Sequence, residues 1–379
     1  MDEITILHMA DCHLGGSGPA FGERVRRHQQ LLIDAYARAL EIARVERVDA
    51  VCIVGDLFYN PRPSERTFAA MLDGLRSLRD VSPPIPCFIL PGNHDCVGPA
   101  SIWHRPELSL EGVYVWREPG SVRLPDGSAA FHGNPQACDV ASHVPLAGLE
   151  PDPSARFNVA LAHGAVVIPG LNETEAWRIE TDQIAGCAMD YVALGHWHDA
   201  GDYSAGGVPA HFPGATEIVN VAQRDPGGVY LVTLGPNGVR LRRERTGVLR
   251  TETLELSPEL QPDEQAVYGA IRAMSDENLL LDVVISGLAP DGFTLDLARL
   301  QEELEPGFFR LRIKDETVPV ISELDPHSAR SQMIAARAVS LFRERIEQAV
   351  AQNDTEAERL ATKAMQLALA LFQGKDVLP

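Results

Sequence analysis

Apolar and polar positions along residues 1 to 250 alternate in blocks that predict strands and helices in turn. Short apolar runs such as "ITILHMA", "VCIV", "PCFIL", "RFNVALAHG" and "MDYVALGH" have the length of buried strands. Longer stretches such as "RRHQQLLIDAYARALEIARVE" and "SERTFAAMLDGLRSLR" repeat apolar residues at helical spacing. Because strands alternate with helices and short Gly/Pro turns, the pattern predicts an α/β layered domain.

A second, smaller unit is predicted at residues 251 to 322. There the helical pattern "PDEQAVYGAIRAMS" leads to the strand "NLLLDVVISGL", the helix "LDLARLQEEL" and the strand "FFRLRIKD". Residues 323 to 379 are predicted to be mainly helical, with two amphipathic helices and Gly374 as the end of the second. We therefore expect an α/β domain at 1–250, a small α/β domain at 251–322 and a helical segment at 323–379.

Composition is typical of a soluble globular protein. The 379 residues are 45% hydrophobic and 23% charged, and no apolar run approaches the ~18 residues of a membrane helix. The N-terminus lacks the basic region of a signal peptide. The six cysteines lie at positions 12, 52, 87, 96, 138 and 187, without a CxxC pair. This spacing favours reduced thiols in a cytoplasmic protein over a disulfide framework.

The formal net charge of −20 constrains the choice of substrate. A protein that binds duplex DNA through a broad surface is usually basic, because phosphate contacts dominate that affinity. A nucleic-acid substrate would therefore need a local positive site or the help of a partner.

Five apolar runs of the first domain end in side chains of metal-binding type. These side chains are Asp11 and His13, Asp56, Asn93 with His94 and Asp95, His163, and His196 with His198. In open α/β sheets, ligands bind beyond the carboxyl ends of the strands. The five strand ends are therefore expected to bring these side chains to one rim.

Each motif alone has an ordinary structural explanation. Asp56 could cap a helix, His163 could be a buried structural histidine, and Asn93 or Asp95 could serve a tight turn. The order DxH, GD, GNHD, H and GHxH, with every motif at a strand end, makes coincidence a poor explanation. The combination predicts a metal site.

The ligand types favour a pair of divalent transition-metal ions. Imidazole and carboxylate together suit Mn, Fe or Zn better than Ca. Two such ions carry more positive charge than Asp11, Asp56 and a hydroxide neutralise, and a neutral Asn93 preserves the surplus. That surplus suits a phosphodiester anion, whose in-line displacement a metal pair can promote.

The motifs "DCHLG", "GDLF", "PGNHD", "AHG" and "GHWH" resemble those of the calcineurin-like metallophosphoesterase superfamily. Within it they are similar to the SbcD-type DNA repair nucleases, and the resemblance covers residues 4 to about 215, including "FPGATE". It implies a four-layer α-β-β-α sandwich with a small α/β cap domain and a C-terminal helical segment. It also implies a homodimer, and C-terminal helices that dock on an SbcC-type, SMC-like ATPase.

The resemblance also assigns roles to the rim residues. One metal would be held by Asp11, His13, Asp56 and His198, and the other by Asp56, Asn93, His163 and His196. His94 matches the catalytic histidine that assists the leaving oxygen, with Asp95 orienting it. Tyr59 stands where several family nucleases carry a functional histidine. Its phenol is a substrate-binding candidate, since it could hydrogen-bond a phosphate, but it is a poor proton carrier at neutral pH.

Two arginine-rich stretches are candidates for DNA contact. One supplies Arg240, Arg242 and Arg243 after the "PNG" hairpin signal, and the other, "ERVRRH", follows the first motif. Such stripes bind phosphate groups in many proteins, but a solvated strand or helix face has the same composition.

The resemblance and the residues together favour a Mn²⁺-dependent DNA exonuclease with endonuclease capacity on single strands or hairpins. Fe, Zn or Mg are alternatives to Mn²⁺. One alternative function is hydrolysis of cyclic nucleotides or other small phosphodiesters, which the acidic charge and Tyr59 favour. Another is a non-catalytic scaffold of a repair complex, although every expected ligand position is filled.

Overall fold

The computed structural model describes residues 3–16, 19–138, 142–168, 170, 172, 176–290, 292–319, 329–352 and 354–372. The chain divides into two compact units, residues 1–251 and 252–379. Each unit is described separately below. Within the described residues, no helix combines the length and the apolar character needed to span a membrane.

The first unit contains two six-stranded sheets. Numbered in chain order, the strands of the first sheet are β1 Ile4–Met9, β2 Ala50–Val54, β3 Cys87–Leu90, β4 Val113–Val115, β13 Gly228–Gly235 and β14 Gly238–Arg245. Their spatial order is β14-β13-β1-β2-β3-β4. Strands β1 to β4 run parallel, and the β13-β14 hairpin adds antiparallel strands beside β1.

The second sheet has the order β11-β12-β10-β7-β6-β5. Its strands are β5 Gly120–Arg123, β6 Ala129–Gly133, β7 Phe157–His163, β10 Tyr191–Gly195, β11 Gly201–Asp202 and β12 Ala210–Phe212. The central strands β6, β7, β10 and β12 are parallel. Two short strands, β8 Ala165–Val166 and β9 Arg178–Ile179, form a separate ribbon.

The inner faces of the two sheets pack against each other. Alternate residues such as Ile6 and Phe88 of the first sheet meet Phe131 and Val159 of the second, and the Phe88 and Phe131 rings stack 4.0 Å apart. Such alternation is the pattern of a sheet with two different faces. These contacts create the main core between the sheets.

Helices cover the outer faces. They are α1 Val25–Val45, α2 Glu65–Ser77 and α3 Thr181–Gly186. The apolar faces of α1 and α2 pack on the first sheet, while α3 and neighbouring loops cover the second. Ser64 caps α2 by accepting a hydrogen bond from the Thr67 N–H. The helix-sheet-sheet-helix order confirms the predicted α/β sandwich.

The second unit is a small α/β layer followed by a helical hairpin. Its elements are β15 Arg250–Leu256, α4 Glu264–Arg272, β16 Asp276–Ala289, α5 Leu297–Leu304, β17 Phe308–Pro319, α6 Ala329–Ala351 and α7 Thr355–Phe372. The sheet order is β15-β16-β17, with α4 and α5 on one face. Helices α6 and α7 pack on each other. The predicted helix end at Gly374 lies outside the described residues.

The expectation that all six cysteines are reduced is wrong in the structure. Cys96 and Cys138 form a disulfide, whereas Cys12, Cys52, Cys87 and Cys187 are free. Backbone pairing of Val97 with Ala137 brings the two cysteine Cα atoms to 5.0 Å. Because this pairing joins residues 42 positions apart, the cysteine spacing in the sequence did not reveal it.

The disulfide predicts a large change in stability. Loop-closure entropy for a separation of 42 residues corresponds to about 4 kcal/mol. Replacing Cys138 by Ser should therefore lower the free energy of unfolding by about that amount, as measured by denaturant titration without reductant. Cys187→Ser, which removes a free thiol, is the matched control. Finding six titratable thiols in unreduced, denatured protein would contradict the cross-link.

Candidate metal centre

The carboxyl ends of five strands bring the predicted ligands together. Asp11 and His13 follow β1, Asp56 follows β2, and Asn93 follows β3. From the second sheet, His163 ends β7, while His196 and His198 follow β10. Since β1, β2 and β3 are parallel neighbours, as are β7 and β10, their ends share a rim in each sheet.

The backbone at this rim is held in unusual conformations. Six described residues other than glycine have a positive φ, and four of them are Asp11, His13, Asp56 and His196. Such conformations cost on the order of 1–3 kcal/mol each and concentrate at functional sites. The strand ends therefore turn sharply, and their side chains are directed by tertiary contacts rather than by local preference.

Glycine in the GD motif is required by space as well as by conformation. Gly55 has a φ of +77°, and a Cβ there would lie 1.9 Å from Nδ1 of His163. No side chain can be accommodated at that distance. The glycine therefore lets the His163 ring approach the turn that carries Asp56.

One group of ligand atoms is formed by Asp11, His13 and His198. Their ligand atoms lie within 4.8 Å of one another, and Nε2 of His13 is 3.1 Å from Nε2 of His198. Asp11 Oδ2 accepts a hydrogen bond from the His196 N–H at 2.9 Å, which orients the carboxylate. These are three of the four residues predicted to hold the first metal.

A second group surrounds Asn93. Its Oδ1 lies 2.9 Å from Nε2 of His163 and 3.2 Å from Nδ1 of His196. Nδ1 of His163 lies 3.1 Å from the Val54 carbonyl oxygen, which can only accept a hydrogen bond. That contact places a proton on Nδ1, so in the neutral ring Nε2 supplies the lone pair that a metal ligand requires.

Asp56 lies between the two groups. Its Oδ2 is 3.7 Å from Nε2 of His13 and 3.4 Å from Nε2 of His163. Its Oδ1 accepts a hydrogen bond from the His94 N–H at 2.9 Å. A single carboxylate oxygen therefore faces one histidine from each group, the position that a bridging ligand would occupy.

An unsatisfied carboxylate oxygen shows that these residues fit a cation. Among the described residues, the buried Oδ1 of Asp11 and Nδ1 of His13 have no hydrogen-bond partner. An unpaired buried carboxylate oxygen is costly unless a cation or proton compensates it. Together with the nitrogen and oxygen donors around it, Asp11 fits a divalent transition-metal site.

The protonation states of His13 and His198 suit metal binding, whereas those of Asp11 and His163 would change when a cation binds. Burial lowers the pKa of His13 to about 3 and that of His198 to about 4, so both rings are neutral at pH 7. Burial opposes charge on Asp56 and His163, but their attraction outweighs it. That attraction lowers the pKa of Asp56 and raises that of His163 to about 9. Burial, together with the Asp56 charge, raises the pKa of Asp11 to about 8. A bound cation would favour ionised Asp11 and neutral His163.

His94 lies at the solvent-exposed mouth of this cluster. Its ring is 4.8 Å from the ring of His13, and its Nδ1 lies 3.1 Å from the Tyr59 carbonyl oxygen. Since a carbonyl only accepts hydrogen bonds, Nδ1 carries the proton and Nε2 is free for a substrate. Tyr59 is 40% exposed, and its ring lies 5.4 Å from that of His94.

Asp95 differs from its predicted role of orienting His94. Its carboxylate accepts hydrogen bonds from the Gly92 N–H at 2.7 Å and from the Phe58 N–H at 3.0 Å. Burial, with the nearby Asp56 charge, raises the pKa of Asp95 to about 7. Asp95 thus joins the turns that carry Asn93 and Asp56, while the Tyr59 carbonyl contacts the His94 ring.

The predicted DNA-binding arginines lie on strand β14 and pair with acidic residues. Arg240 contacts Glu3, Arg242 contacts Glu46 at 2.7 Å, and Arg243 contacts both carboxylate oxygens of Asp225. These partners come from distant parts of the sequence. DNA contact by these arginines stays a prediction, and it would require competition with existing ion pairs.

The sequence did not identify two residues beside the ligands. Asn220 Nδ2 is 2.9 Å from Nδ1 of His198, and its Oδ1 accepts from the N–H groups of Ala222 and Gln223. The Trp177 ring meets the His196 ring edge-on at 6.2 Å. Neither residue adjoins a motif, so only tertiary structure reveals these contacts.

Comparisons with known proteins agree with this geometry. The DNA double-strand break repair protein Mre11 of Methanopyrus kandleri is 30% identical over 229 residues, covering 56% of this chain and 49% of that protein. Mre11 of Haloferax volcanii is 29% identical over 326 residues, covering 82% and 67%. The uncharacterized metallophosphoesterase YhaO of Bacillus subtilis is 25% identical over 359 residues, covering 86% and 85%.

The chain thus spans about half the length of the Methanopyrus relative and two thirds of the Haloferax one. The family model for calcineurin-like phosphoesterases matches residues 4–200. That match covers more than half of the chain and includes all seven predicted metal ligands, from Asp11 to His198. The chain therefore belongs to the calcineurin-like phosphoesterases, a family of metal-dependent hydrolases.

Proposed function

We propose that this chain is a two-metal DNA phosphodiesterase of the SbcD/Mre11 type that acts in DNA repair. The observation that carries the proposal is the position of Asp56, whose Oδ2 faces His13 on one side and His163 on the other. The similarity to Mre11 proteins supports DNA as the substrate. We expect exonuclease action together with endonuclease action on single strands or hairpins.

The protein residues would divide the work around the scissile phosphate. A divalent metal pair supplies charge stabilisation and an activated water for in-line attack on phosphorus. Asp11, His13, Asp56 and His198 would hold one ion, and Asp56, Asn93, His163 and His196 the other. With both ring nitrogens protonated, His94 would keep its Nδ1–H on the Tyr59 carbonyl and donate its Nε2–H to the leaving 3′-oxygen.

The proposal is tested by offering the purified protein several substrates in the presence of Mn²⁺. Linear duplex DNA, hairpin DNA, cyclic nucleotides and bis(p-nitrophenyl) phosphate would be compared at equal enzyme concentration. We expect cleavage of both DNA substrates. Rapid turnover of the small esters without any DNA cleavage would contradict the assignment of DNA as substrate.

A second candidate function is hydrolysis of small phosphodiesters. The carboxylate partners of Arg240, Arg242 and Arg243 leave that surface without an uncompensated positive stripe. The exposed Tyr59 phenol beside His94 also departs from the histidine of several family nucleases. Both observations favour a substrate that needs fewer phosphate contacts than a duplex does.

Tyr59 offers a direct test of exonuclease capacity. An imidazole near the scissile phosphate can carry a proton at neutral pH, whereas a phenol cannot. Tyr59→His should therefore raise the rate of duplex end digestion by about tenfold or more. The Tyr59→Phe variant, which lacks both a proton carrier and the phenol hydroxyl, should digest ends no faster than the unsubstituted protein. Equal rates for the histidine and phenylalanine variants would contradict a proton-carrying role at this position.

We also propose that helices α6 and α7 dock on an SbcC-type, SMC-like ATPase. The hairpin leaves Leu341, Val350 and Leu360 exposed, which supports an apolar contact there. Replacing these three residues by Ser should abolish co-purification with that ATPase while metal binding persists. Retained co-purification would contradict docking through these residues.

Mn²⁺ is the proposed native metal, with Fe, Zn or Mg as alternatives, because the ligand set combines imidazole, carboxylate and amide oxygen. A cytoplasmic location and a homodimer are proposed from the resemblance to SbcD-type nucleases. Metal analysis of protein purified without added metal distinguishes the ions. Size measurement by light scattering tests the dimer.

A further inference from the structure

Arg62 is an exposed arginine three residues after Tyr59, and its guanidinium has no acidic partner among the described residues. Several other arginines of the first unit pair with acidic residues. Arg105 contacts Glu65 and Glu107, and Arg240 contacts Glu3. In a chain with a net charge of −20, an uncompensated cation beside the site of phosphate chemistry is available for an anionic ligand.

The loop that carries Arg62 is held in one conformation by local contacts. The Arg62 N–H donates a hydrogen bond to Asn60 Oδ1 at 3.0 Å, and the Pro61 carbonyl accepts one from the Ile102 N–H at 2.9 Å. Pro61 and Pro63 flank Arg62, and their rings restrict the backbone. Presenting the guanidinium from a fixed loop reduces the entropy lost when it binds a ligand.

The same loop begins at Tyr59, whose backbone contacts His94, the proposed catalytic histidine. The Tyr59 carbonyl contacts Nδ1 of His94 at 3.1 Å, and Arg62 follows Tyr59 by three residues. Three residues span at most about 10 Å of backbone, and the extended arginine side chain adds its own length to that reach. The Arg62 guanidinium can therefore reach a phosphate close to one held at the metal centre.

We propose that Arg62 binds the backbone phosphate next to the scissile one and thereby selects polynucleotides over small phosphodiesters. This inference rests on the proposed function of the metal centre. A planar guanidinium can donate two parallel hydrogen bonds to one phosphate. Small esters lack the neighbouring phosphate, so they gain nothing from this contact.

The test compares substrates with and without a neighbouring phosphate. Oligothymidylate binding would be measured by fluorescence anisotropy over a range of salt concentrations. Turnover would be measured in Mn²⁺ with oligothymidylate and with the p-nitrophenyl ester of thymidine 5′-monophosphate. Arg76→Ala is the matched control, because Arg76 lies about 16 Å farther along α2 than Glu65 and pairs with Asp73.

For Arg62→Ala we expect oligothymidylate affinity to fall by about 5–10-fold at low salt. The slope of log affinity against log salt should become shallower by about 0.7, the value for one phosphate contact on a single strand. Turnover of the nitrophenyl ester should stay within about twofold of the unsubstituted rate. Arg62→Lys should keep the salt slope and lose part of the affinity.

The possible results separate this inference from the proposed function. Unchanged oligothymidylate affinity in Arg62→Ala would overturn the inference, as would an equal loss of nitrophenyl-ester turnover. Failure of the unsubstituted protein to bind oligothymidylate would overturn it as well. Binding that weakens in Arg62→Ala, in a protein that never cleaves the oligonucleotide, would support the Arg62 contact and contradict the nuclease function.

Discussion

Asp56→Asn should abolish binding of both metal ions and lower phosphodiester hydrolysis by at least about a thousandfold. Asp56 Oδ2 faces His13 and His163, which belong to different ligand groups. The substitution leaves the shape nearly unchanged but removes the negative charge shared by both ions. Loss of residues outside the ligand set already costs about 10–100-fold in metal affinity, so loss of a shared ligand should cost more.

Metal content after dialysis is the measurement for this variant. Asp73→Asn, at an exposed aspartate on α2, is the matched control and should retain full metal content. Thermal unfolding of the metal-free proteins shows whether the substitution affects folding itself. If Asp56→Asn kept one ion bound with undiminished affinity, the shared role of Asp56 would be wrong.

His94→Ala should lower the rate of DNA cleavage by about 10²–10⁴-fold while both metals remain bound. The His94 ring contacts the Tyr59 carbonyl through Nδ1 and is outside both proposed four-residue ligand sets, although its ring nitrogen lies within 4.8 Å of ligand atoms of His13 and Asp56. The loss of rate in His94→Ala should depend on the basicity of the leaving group. An alkoxide must be protonated as it leaves, whereas p-nitrophenolate is a weak base and leaves without that help.

Comparing two substrates isolates this role. The His94→Ala loss should be large for DNA and at least about tenfold smaller for bis(p-nitrophenyl) phosphate. His104→Ala, at an exposed histidine of the same domain, is the control and should match the unsubstituted enzyme on both. Equal losses on the two substrates would assign His94 to phosphate binding rather than to leaving-group assistance.

The sequence pattern was sufficient to predict an α/β layered domain with metal-binding side chains at its strand ends, whereas the sandwich and the two ligand sets came from the family resemblance. Buried strands such as β2 and β10 are short apolar runs, and each is followed at once by Asp56 or by His196 and His198. Because parallel strands carry such ends to a common rim, the motifs at the strand ends predict which side chains become neighbours. The roles of these residues as metal ligands stay predictions.

Contacts between distant loops could not be predicted from the sequence. The Cys96–Cys138 disulfide depends on backbone pairing across two loops, and the partners of Asp95 depend on how the turn at Phe58 meets the turn at Gly92. Neither arrangement has a periodic signal. Side-chain orientation in sharp turns follows from tertiary packing, which local propensity does not encode.

Ion pairs between residues distant in sequence could not be predicted either, as the arginines of β14 show. Arg240, Arg242 and Arg243 look like a phosphate-binding surface in the sequence because their partners lie elsewhere in the chain. In the structure Glu3, Glu46 and Asp225 compensate them. Arg62 stands alone in the sequence, but it lies beside the candidate site without such a partner.

The central claim is that Asp56 joins two metal positions in one centre, and electron paramagnetic resonance during Mn²⁺ titration tests it most directly. Two ions held about 3.5–4 Å apart are magnetically coupled. We predict uptake of two Mn²⁺ per chain with a coupled multiline spectrum, which Asp56→Asn abolishes. Saturation at one Mn²⁺ per chain, with the simple six-line spectrum of an isolated ion, would contradict the account.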